Sequence, residues 1–172
     1  MQKKWLKGMA AVMAAAALAG AFAGCGGDKK AASGSADAGK TVKLGFITAY
    51  TGPGAAYGVA MKEGTELAVE EINKDPNTKV NLKVYDTKLV KNEAINAMKK
   101  CIEQDKVLAI EGPMTTGEAM AADPIAQQSK VAVFGTGTTG PKVTEIGDYV
   151  FRNAIPGKMN IPQVVEKAQK KL

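Results

Sequence analysis

From residue 41 onward the chain alternates strand-like and helix-like segments, and this order constrains the fold more than any other feature. Short runs that alternate or are continuously apolar, bounded by turn residues, predict strands at 42–48, 80–85, 107–110, 131–134 and 149–152. Apolar residues spaced by three and four predict helices at about 56–72, 94–102, 116–128 and 161–168. Strands separated by helices imply parallel pairing with right-handed crossovers. The predicted fold class is therefore α/β, with a doubly wound, mainly parallel sheet.

Each predicted helix carries an apolar face, which we expect to pack against the sheet. The expected inner face of the first helix consists of Ala56, Ala60, Gly64, Leu67, Ala68 and Ile72. The expected inner face of the last helix consists of Ile161, Val164, Val165 and Ala168. Asn92 is predicted to cap the second helix, and Pro124 to bend the third.

Hydroxyl and amide groups mark the loops where a ligand is expected. Ligands of doubly wound sheets bind beyond the carboxyl ends of the strands, which points to the loops after the first, third and fourth predicted strands. Thr115 and Thr116 begin a helix, and Thr138 and Thr139 lie among glycines. Hydroxyls beside free N–H groups at a helix N-terminus suit a small carboxylate and supply no catalytic group. The same threonines also suit ordinary caps and turns, so both interpretations stay open at this point.

Two glycine patterns resemble phosphate-binding loops, and their neighbours exclude both. Residues 135–140 match G-x-G-x-x-G, but Pro141 follows at once and only eight residues separate Gly140 from Tyr149, too few for a crossover helix. Residues 112–117 have the spacing of a P-loop, but Glu118 stands where a lysine must bind phosphate.

Composition excludes further classes of function. With no His and two Cys, the chain lacks the residues of a Ser-His-Asp or Cys-His site and of the common zinc sites. The net charge of +6 is concentrated near the N-terminus, and residues 41–172 carry 17 basic and 15 acidic side chains. Nucleic-acid binding therefore loses its electrostatic basis.

The first 40 residues predict export and a tether. Residues 1–24 have a basic start, an apolar run and small residues before Cys25, as secretory signal peptides do. Phe22-Ala23-Gly24-Cys25 resembles the bacterial lipoprotein signal, with Phe22 in place of the usual Leu, and implies lipidation of Cys25 and membrane anchoring. A plain signal peptide with a chance Cys is the alternative. Residues 25–40 are rich in Gly, Ala, Ser and charge, which predicts a flexible tether, leaving 41–172 as the folded part.

Six blocks of the folded part then point to a family. They are residues 42–73 (VKLGFITAYTGPGAAYGVAMKEGTELAVEEIN), Tyr85-Asp86, 111–117 (EGPMTTG), 124–126 (PIA), 137–139 (GTT) together with Pro141, and 147–152 (GDYVFR). Their order and spacing resemble the leucine/isoleucine/valine-binding proteins, type I periplasmic binding proteins that serve ABC importers. The resemblance covers about residues 42–160.

The resemblance implies a role for individual residues. Thr116 and Thr139 would offer hydroxyls, and Gly137 a backbone group, to the carboxylate and ammonium of an amino acid. Tyr57 would cover the ligand's side chain; the alternative is an aromatic residue packed in its loop. Glu111 stands where the family usually has an apolar residue. The candidate ligand-binding residues are Tyr57, Thr115, Thr116, Gly137, Thr138 and Thr139.

The resemblance also implies an incomplete molecule. Family members close two lobes around the ligand, and residues 41–172 correspond to most of the N-terminal lobe. We expect this chain alone to bind ligand weakly or not at all, because enclosing a small ligand needs both walls of the cleft. No metal, cofactor or catalytic residue is expected.

Two functions follow as expectations. The favoured one is a lipid-anchored extracytoplasmic receptor that delivers branched-chain or related amino acids to an ABC permease. The alternative is a ligand-sensing domain of the same fold, coupled to a signalling partner and binding amides or small carboxylates. An enzyme is a distant third, because no nucleophile-base pair is visible. Cys101 lies on an expected inner helix face, which favours a buried free thiol over a redox role.

Overall fold

The computed structural model describes residues 41–171, in which five strands and four α-helices follow one another. The strands are β1 (Thr41–Thr48), β2 (Lys79–Asp86), β3 (Ala109–Glu111), β4 (Ala132–Gly135) and β5 (Val150–Arg152). The helices are α1 (Ala55–Ile72), α2 (Lys91–Lys99), α3 (Thr116–Ser129) and α4 (Gly157–Gln169). Shorter helical turns span Gly52–Gly54, Lys100–Asp105 and Val143–Glu145. The predicted signal peptide and tether, with Cys25, lie outside the described residues.

The five strands form one parallel sheet in the order β2-β1-β3-β4-β5. One row across the sheet pairs Phe46 with Glu111, Glu111 with Phe134, and Phe134 with Phe151. This register brings the carboxyl ends of β1, β3 and β4 side by side at the centre. The predicted α/β fold with a parallel sheet is confirmed.

The main core lies between the sheet and the two helices α2 and α3. Its buried residues come from β1, β3 and β4, from the facing sides of the two helices and from the segment between α2 and β3: Ile47, Ala94, Ala97, Met98, Cys101, Val107, Ile110, Ala122, Ala126 and Val133. Burying each large aliphatic side chain stabilises the fold by roughly 1.5–3 kcal/mol. This face therefore fixes the positions of the strands and of the N-terminus of α3.

Within residues 41–171, the opposite face of the sheet is largely uncovered. α1 contacts it through Thr65, which is hydrogen-bonded to Glu111 of β3, while Gly58 lies against Ala49 and Met61 contacts Thr136 in the loops at the carboxyl edge. Beside α1 lies an apolar groove of about 540 Å³. The prediction that these six α1 residues face the core is wrong, since all six are exposed, Leu67 at 57% and Ile72 at 44%. The apolar face of α1 borders the groove because no described element covers that part of the sheet.

α4 forms where a helix is predicted, but its expected inner face is exposed. None of its residues is buried, and Ile161 and Val164 are 63% and 59% exposed. The apolar spacing predicted the helix correctly. The prediction that its apolar face is buried is wrong, because no element in residues 41–171 packs against that face.

The start and end of α2 also differ from the prediction. Val90, not Asn92, is the N-cap residue and makes no side-chain cap, so Asn92 lies within the first turn. After Lys99 the helix widens into a π-helical turn that ends at Lys106 in the left-handed conformation. Among residues 41–171, no helix combines the length and the apolar character that a membrane span requires.

Candidate functional site

Three loops meet at the carboxyl edge of the sheet. A Cβ on Gly54, just before α1, would lie 2.9 Å from side-chain atoms of both Leu89 and Met114, so the loops after β1, β2 and β3 are in contact. Gly112 has a φ of 101°, and a Cβ there would lie 2.0 Å from the carbonyl oxygen of Ile47. Only glycine fits this close approach between the loop after β3 and the end of β1. The candidate residues therefore lie on a closely packed edge.

Thr115 caps α3, and its side chain is engaged in that role. Its Oγ1 donates to Glu118 Oε2 at 2.6 Å and accepts the N–H of Glu118 at 3.4 Å, while Thr115 N–H donates to Glu118 Oε2 at 3.3 Å. This is a capping box, the role that the open alternative assigned to this threonine. The other carboxylate oxygen, Oε1, accepts a hydrogen bond from Thr87 Oγ1. Glu118 is 2% exposed and so links the loop after β2 to the start of α3.

Thr116 connects the loops after β3 and β4. Its Oγ1 accepts the backbone N–H of Gly140 at 3.0 Å, and its own O–H remains available as a donor. The first N–H groups of a helix have no acceptor within the helix, which leaves those of Thr116 and Gly117 free to bind an anion. Gly117 is exposed, so these groups are accessible from the edge of the sheet.

The loop after β4 is held close to the loop after β3. A Cβ on Gly137 would lie 2.5 Å from the carbonyl oxygen of Met114. Thr138 is fully buried, and its hydroxyl has no partner among the described residues. Thr139 is exposed, and its carbonyl oxygen accepts the N–H of Gly157 at 3.0 Å. Of these residues only Thr139 presents a side chain to solvent.

Arg152 supports this loop from β5. Its Nη1 donates to the carbonyl oxygens of Thr138 at 3.1 Å and Gly140 at 2.6 Å. Charge-assisted hydrogen bonds are stronger than neutral ones, so this contact fixes the backbone on both sides of Thr139.

Tyr57 lies in the first turn of α1 and is 73% exposed. One turn later, Met61 Sδ accepts a hydrogen bond from Thr136 Oγ1 at 3.7 Å. Residues four apart share a helix face, so Tyr57 lies on the side of α1 that approaches the loop after β4. Its exposed ring does not fit the alternative of a packed loop aromatic.

Asp86 ties the end of β2 to the loop after β1. Its carboxylate accepts hydrogen bonds from Thr51 Oγ1, from Thr51 N–H at 3.4 Å and from Lys88 N–H at 3.1 Å. Burial acts to raise the pKa of Asp86, but the hydrogen bonds that stabilise the charged form outweigh it and hold the pKa below its usual value. Asp86 therefore acts as a brace for the first loop.

The side chain of Glu111 lies on the open face of the sheet, where it contacts Thr65 of α1 and none of the candidate threonines. Both of its oxygens lie within hydrogen-bond distance of Thr65 Oγ1, at 3.2 Å and 3.1 Å. Burial raises the pKa of Glu111, and the hydrogen bond from Thr65 only partly opposes that effect. The pair connects α1 to β3.

The described residues offer binding groups but no cluster suited to a metal. No three His, Cys, Asp or Glu side chains within 41–171 lie close enough together to hold an ion. The arrangement around Thr116 supplies hydroxyls, backbone N–H groups and a helix N-terminus, which together can hold a carboxylate.

The roles of two residues that support the site, Glu118 and Arg152, were not predicted from the sequence. Glu118 was detectable, because Thr115-Thr116-Gly117-Glu118 has the T-x-x-E form of a capping box. Arg152 had no local signal, since its partners lie 12 and 14 residues away.

Comparisons with known proteins agree with this architecture. The family model described as periplasmic binding protein matches residues 41–171. Leu/Ile/Val-binding protein homolog 7 of Brucella abortus (strain 2308) is 32% identical over 145 residues, which make up 81% of this chain and 36% of that protein. The chain thus spans about a third of the length of the curated relatives it matches.

Solved structures show the same likeness. One is the branched-chain amino acid transporter substrate binding protein LivJ from Streptococcus pneumoniae in complex with isoleucine, with a TM-score of 0.65 and 32% identity over 68% of this chain and 34% of that one. Another is an ABC transporter solute binding protein from R. palustris in complex with 4-hydroxybenzoate, with a TM-score of 0.71 and 27% identity over 77% of this chain and 36% of that one.

The family match covers nearly all the described residues, and the parallel sheet with its loops at the carboxyl edge is the architecture that these relatives share. The chain belongs to the periplasmic binding protein family.

Proposed function

We propose that this chain contributes one wall of the binding site of an extracytoplasmic solute receptor that serves an ABC importer, and that the ligand is a small carboxylate of the amino-acid type. The observation that carries the proposal is the N-terminus of α3 at Thr116 and Gly117, placed beside the loop after β4 by the hydrogen bond from Gly140 N–H to Thr116 Oγ1. Hydroxyls and N–H groups in this arrangement bind a carboxylate without reacting with it.

The similar structures support a carboxylate as the shared feature of the ligand. LivJ is described with isoleucine and the R. palustris protein with 4-hydroxybenzoate, and both ligands carry a carboxylate. Their remaining parts differ, one being an aliphatic amino acid and the other an aromatic acid. We therefore assign the carboxylate to α3, and we favour branched-chain or related amino acids because the curated relatives are named for them.

Each candidate residue has a proposed task. The Thr116 and Gly117 N–H groups and the Thr116 O–H hold the carboxylate. Thr139 and the backbone at Gly137 hold the ammonium group, and Tyr57 covers the side chain. Thr115 and Thr138 act indirectly, the first by capping α3 and the second from its buried position in the loop.

Location and partners follow from the family and from the N-terminal sequence. A periplasmic binding protein acts outside the cytoplasm, and we propose that lipidation of Cys25 anchors this one to a membrane, where it meets the permease. The proposal for Cys25 is tested by metabolic labelling with a radioactive fatty acid. Label should appear in the wild-type protein and be absent from Cys25→Ser; equal labelling of both would contradict it.

Titration followed by ¹⁵N–¹H NMR tests the ligand assignment. The full 172-residue chain is titrated with leucine, isoleucine, valine and 4-hydroxybenzoate. With one wall of a cleft we expect dissociation constants of about 1 mM or weaker. The amide signals of Thr116, Gly117 and Thr139 should shift, whereas leucinol, which lacks the carboxylate, should leave them unchanged.

A pair of variants provides the control. Thr116→Val should weaken the response, while Thr78→Val, located before β2 at the opposite edge of the sheet, should not. If leucinol shifts these amides as strongly as leucine, or if Thr78→Val weakens the response as much as Thr116→Val, the assignment of the carboxylate to the start of α3 is wrong. Micromolar affinity measured by calorimetry would contradict the expectation that one wall binds weakly.

A further inference from the structure

The chain contains a single arginine, Arg152 in β5. Every other one of its 23 basic residues is a lysine, so the use of arginine at this position calls for a physical reason. A guanidinium group is planar and holds its N–H donors in fixed directions, whereas the ammonium group of lysine is a compact charge on a flexible stem. Arginine therefore suits a place where two acceptors have to be held in one geometry.

The acceptors of Arg152 are two carbonyl oxygens on either side of Thr139. Its Nη1 atom donates to Thr138 O at 3.1 Å and to Gly140 O at 2.6 Å. Between them, Thr139 O accepts the N–H of Gly157 at 3.0 Å. Three consecutive carbonyl oxygens of this loop are thus hydrogen-bonded. A carbonyl oxygen held in this way is not free to turn toward a bound carboxylate, which it would repel.

The sheet places Arg152 beside the beginning of the same loop. Arg152 pairs with Gly135 of β4, and the N–H of Asn153 donates to Gly135 O at 3.1 Å. A Cβ on Gly135 would overlap Thr138 Oγ1, so the buried side chain of Thr138 occupies the space that a side chain at position 135 would need. The loop therefore folds back over Gly135, and its carbonyl oxygens come within reach of Arg152.

Arg152 is connected to Thr116 through Gly140. The carbonyl oxygen of Gly140 is held by Arg152, and the N–H of Gly140 donates to Thr116 Oγ1 at 3.0 Å. A Cβ on Gly140 would lie 2.5 Å from Thr116 Cγ2, so the two residues are in close contact. Because Thr116 Oγ1 accepts the bond from Gly140, its own proton points away from Gly140 and remains a donor.

We propose that Arg152 is a positioning residue of the candidate binding site, and that the site needs its guanidinium group and not only its charge. By holding the carbonyl oxygens on both sides of Thr139, Arg152 fixes the Thr139 hydroxyl. By holding Gly140 against Thr116, it leaves the Thr116 O–H to the ligand carboxylate. This role rests on the proposed function, since it is defined by the ligand-binding tasks of the two threonines. Groups that are fixed before the ligand arrives lose less entropy on binding.

The structural step is tested on the free 172-residue chain, without any ligand. Hydrogen exchange of the Gly140 amide is measured by ¹⁵N–¹H NMR in wild type, Arg152→Lys and Arg152→Met. Exchange should quicken about tenfold or more in Arg152→Met, because hydrogen bonds to a charged group are lost, and less in Arg152→Lys. The amide of Ile110, in the centre of the sheet, should exchange equally in all three chains, which verifies that they are folded. Unchanged exchange at Gly140 in Arg152→Met overturns the proposal.

The binding step is tested by titration with leucine, followed by the same NMR spectra. Arg152→Met should raise the dissociation constant about threefold or more, since the loosened loop has to be ordered on binding, and Arg152→Lys should raise it less. Lys83→Met is the matched control, because it removes one positive charge from β2 at the opposite edge of the sheet. If Lys83→Met weakens binding as much as Arg152→Met, Arg152 acts only through its charge and the proposal is wrong.

A double variant tests whether Arg152 acts through Thr116. In Arg152→Met, Thr116→Val, the dissociation constant should rise by less than the product of the two single effects, because residues in one hydrogen-bonded chain are not additive. Two effects that multiply fully would mean independent action and would overturn the proposed connection. Failure of the proposed function shows itself differently: leucinol would then act on the wild-type chain as leucine does, while the exchange of the Gly140 amide would still respond to Arg152→Met.

Discussion

At the scale of single residues, burial sets the charge of one carboxyl group and close contact restricts one glycine. Asp123 is fully buried in α3, and neither carboxylate oxygen has a hydrogen-bond partner among the described residues. Burial raises its pKa to about 8, so the carboxyl is mostly neutral at neutral pH. Gly137 presents its backbone to Met114 without space for a side chain.

The raised pKa of Asp123 predicts that the folded chain loses stability as pH rises. Its pKa is about 8 in the folded state and near 3.9 when unfolded, so the folded chain binds more protons between these values. Its contribution is therefore fully present below about pH 4 and is lost as pH increases toward 8. Urea unfolding at pH 5 and pH 8 should show a smaller difference in the free energy of unfolding for Asp123→Asn than for wild type. Equal pH dependence in both proteins would contradict the raised pKa.

Gly137→Ala is predicted to destabilise the chain. The new Cβ would lie 2.5 Å from Met114 O, and moving the loop apart costs about 1–3 kcal/mol. Urea unfolding at low protein concentration measures this. Gly64→Ala is the control, because a Cβ there meets nothing within 4 Å and should stabilise α1 by about 1 kcal/mol. If both substitutions change the free energy of unfolding equally, the close approach of Gly137 to Met114 O does not exclude a side chain.

At the scale of elements, α3 is the helix that organises the candidate site. Its N-terminus is fixed by the capping box of Thr115 and Glu118 and by the contact of Glu118 with Thr87. Thr116 then receives the N–H of Gly140 from the neighbouring loop. The helix start is therefore rigid before any ligand arrives, which lowers the entropic cost of binding.

Removal of the Thr115 side chain, which caps α3, should destabilise the first turn of that helix. Thr115→Ala is expected to lower the free energy of unfolding by about 1 kcal/mol, within a range of roughly 0.5–2 kcal/mol for capping residues. Thr115→Ser keeps the hydroxyl and should lose much less. Hydrogen exchange of the amides of Glu118 and Ala119 should quicken in the alanine variant alone. If serine and alanine are equally destabilising, the hydroxyl does not carry the cap.

At the scale of the whole described chain, residues 41–171, one face of the sheet is covered by α2 and α3 and the other only in part by α1. Cys101 lies in the closed core and is fully buried, and burial raises the pKa of its thiol to about 12. It makes such close contact with β1 that a Cβ on Gly45 would lie 2.8 Å from its sulfur atom. A buried, protonated thiol of this kind is inert in the folded state.

The reactivity of Cys101 should therefore report unfolding of the whole core. In a Cys25→Ser variant, labelling by a thiol reagent at pH 8 should be negligible in the folded chain and should rise with urea along the same curve as circular dichroism. Rapid labelling without denaturant would mean that the face covered by α2 and α3 opens separately.

The sequence by itself determined the order of the strands and helices, because apolar periodicity and turn residues are local signals of secondary structure. It also indicated the family, because six sequence blocks occur in the family's order and spacing. It also placed Thr115, Thr116 and the 137–139 loop at the carboxyl edge, since parallel strands end at a common edge. It could not reveal the link from Thr87 to Glu118 or from Arg152 to Thr138, whose partners are 31 and 14 residues apart. Nor could it tell that the apolar face of α4 is exposed, because periodicity shows that a helix has an apolar face but not what lies against it. Burial depends on distant segments meeting, and only the tertiary structure decides that.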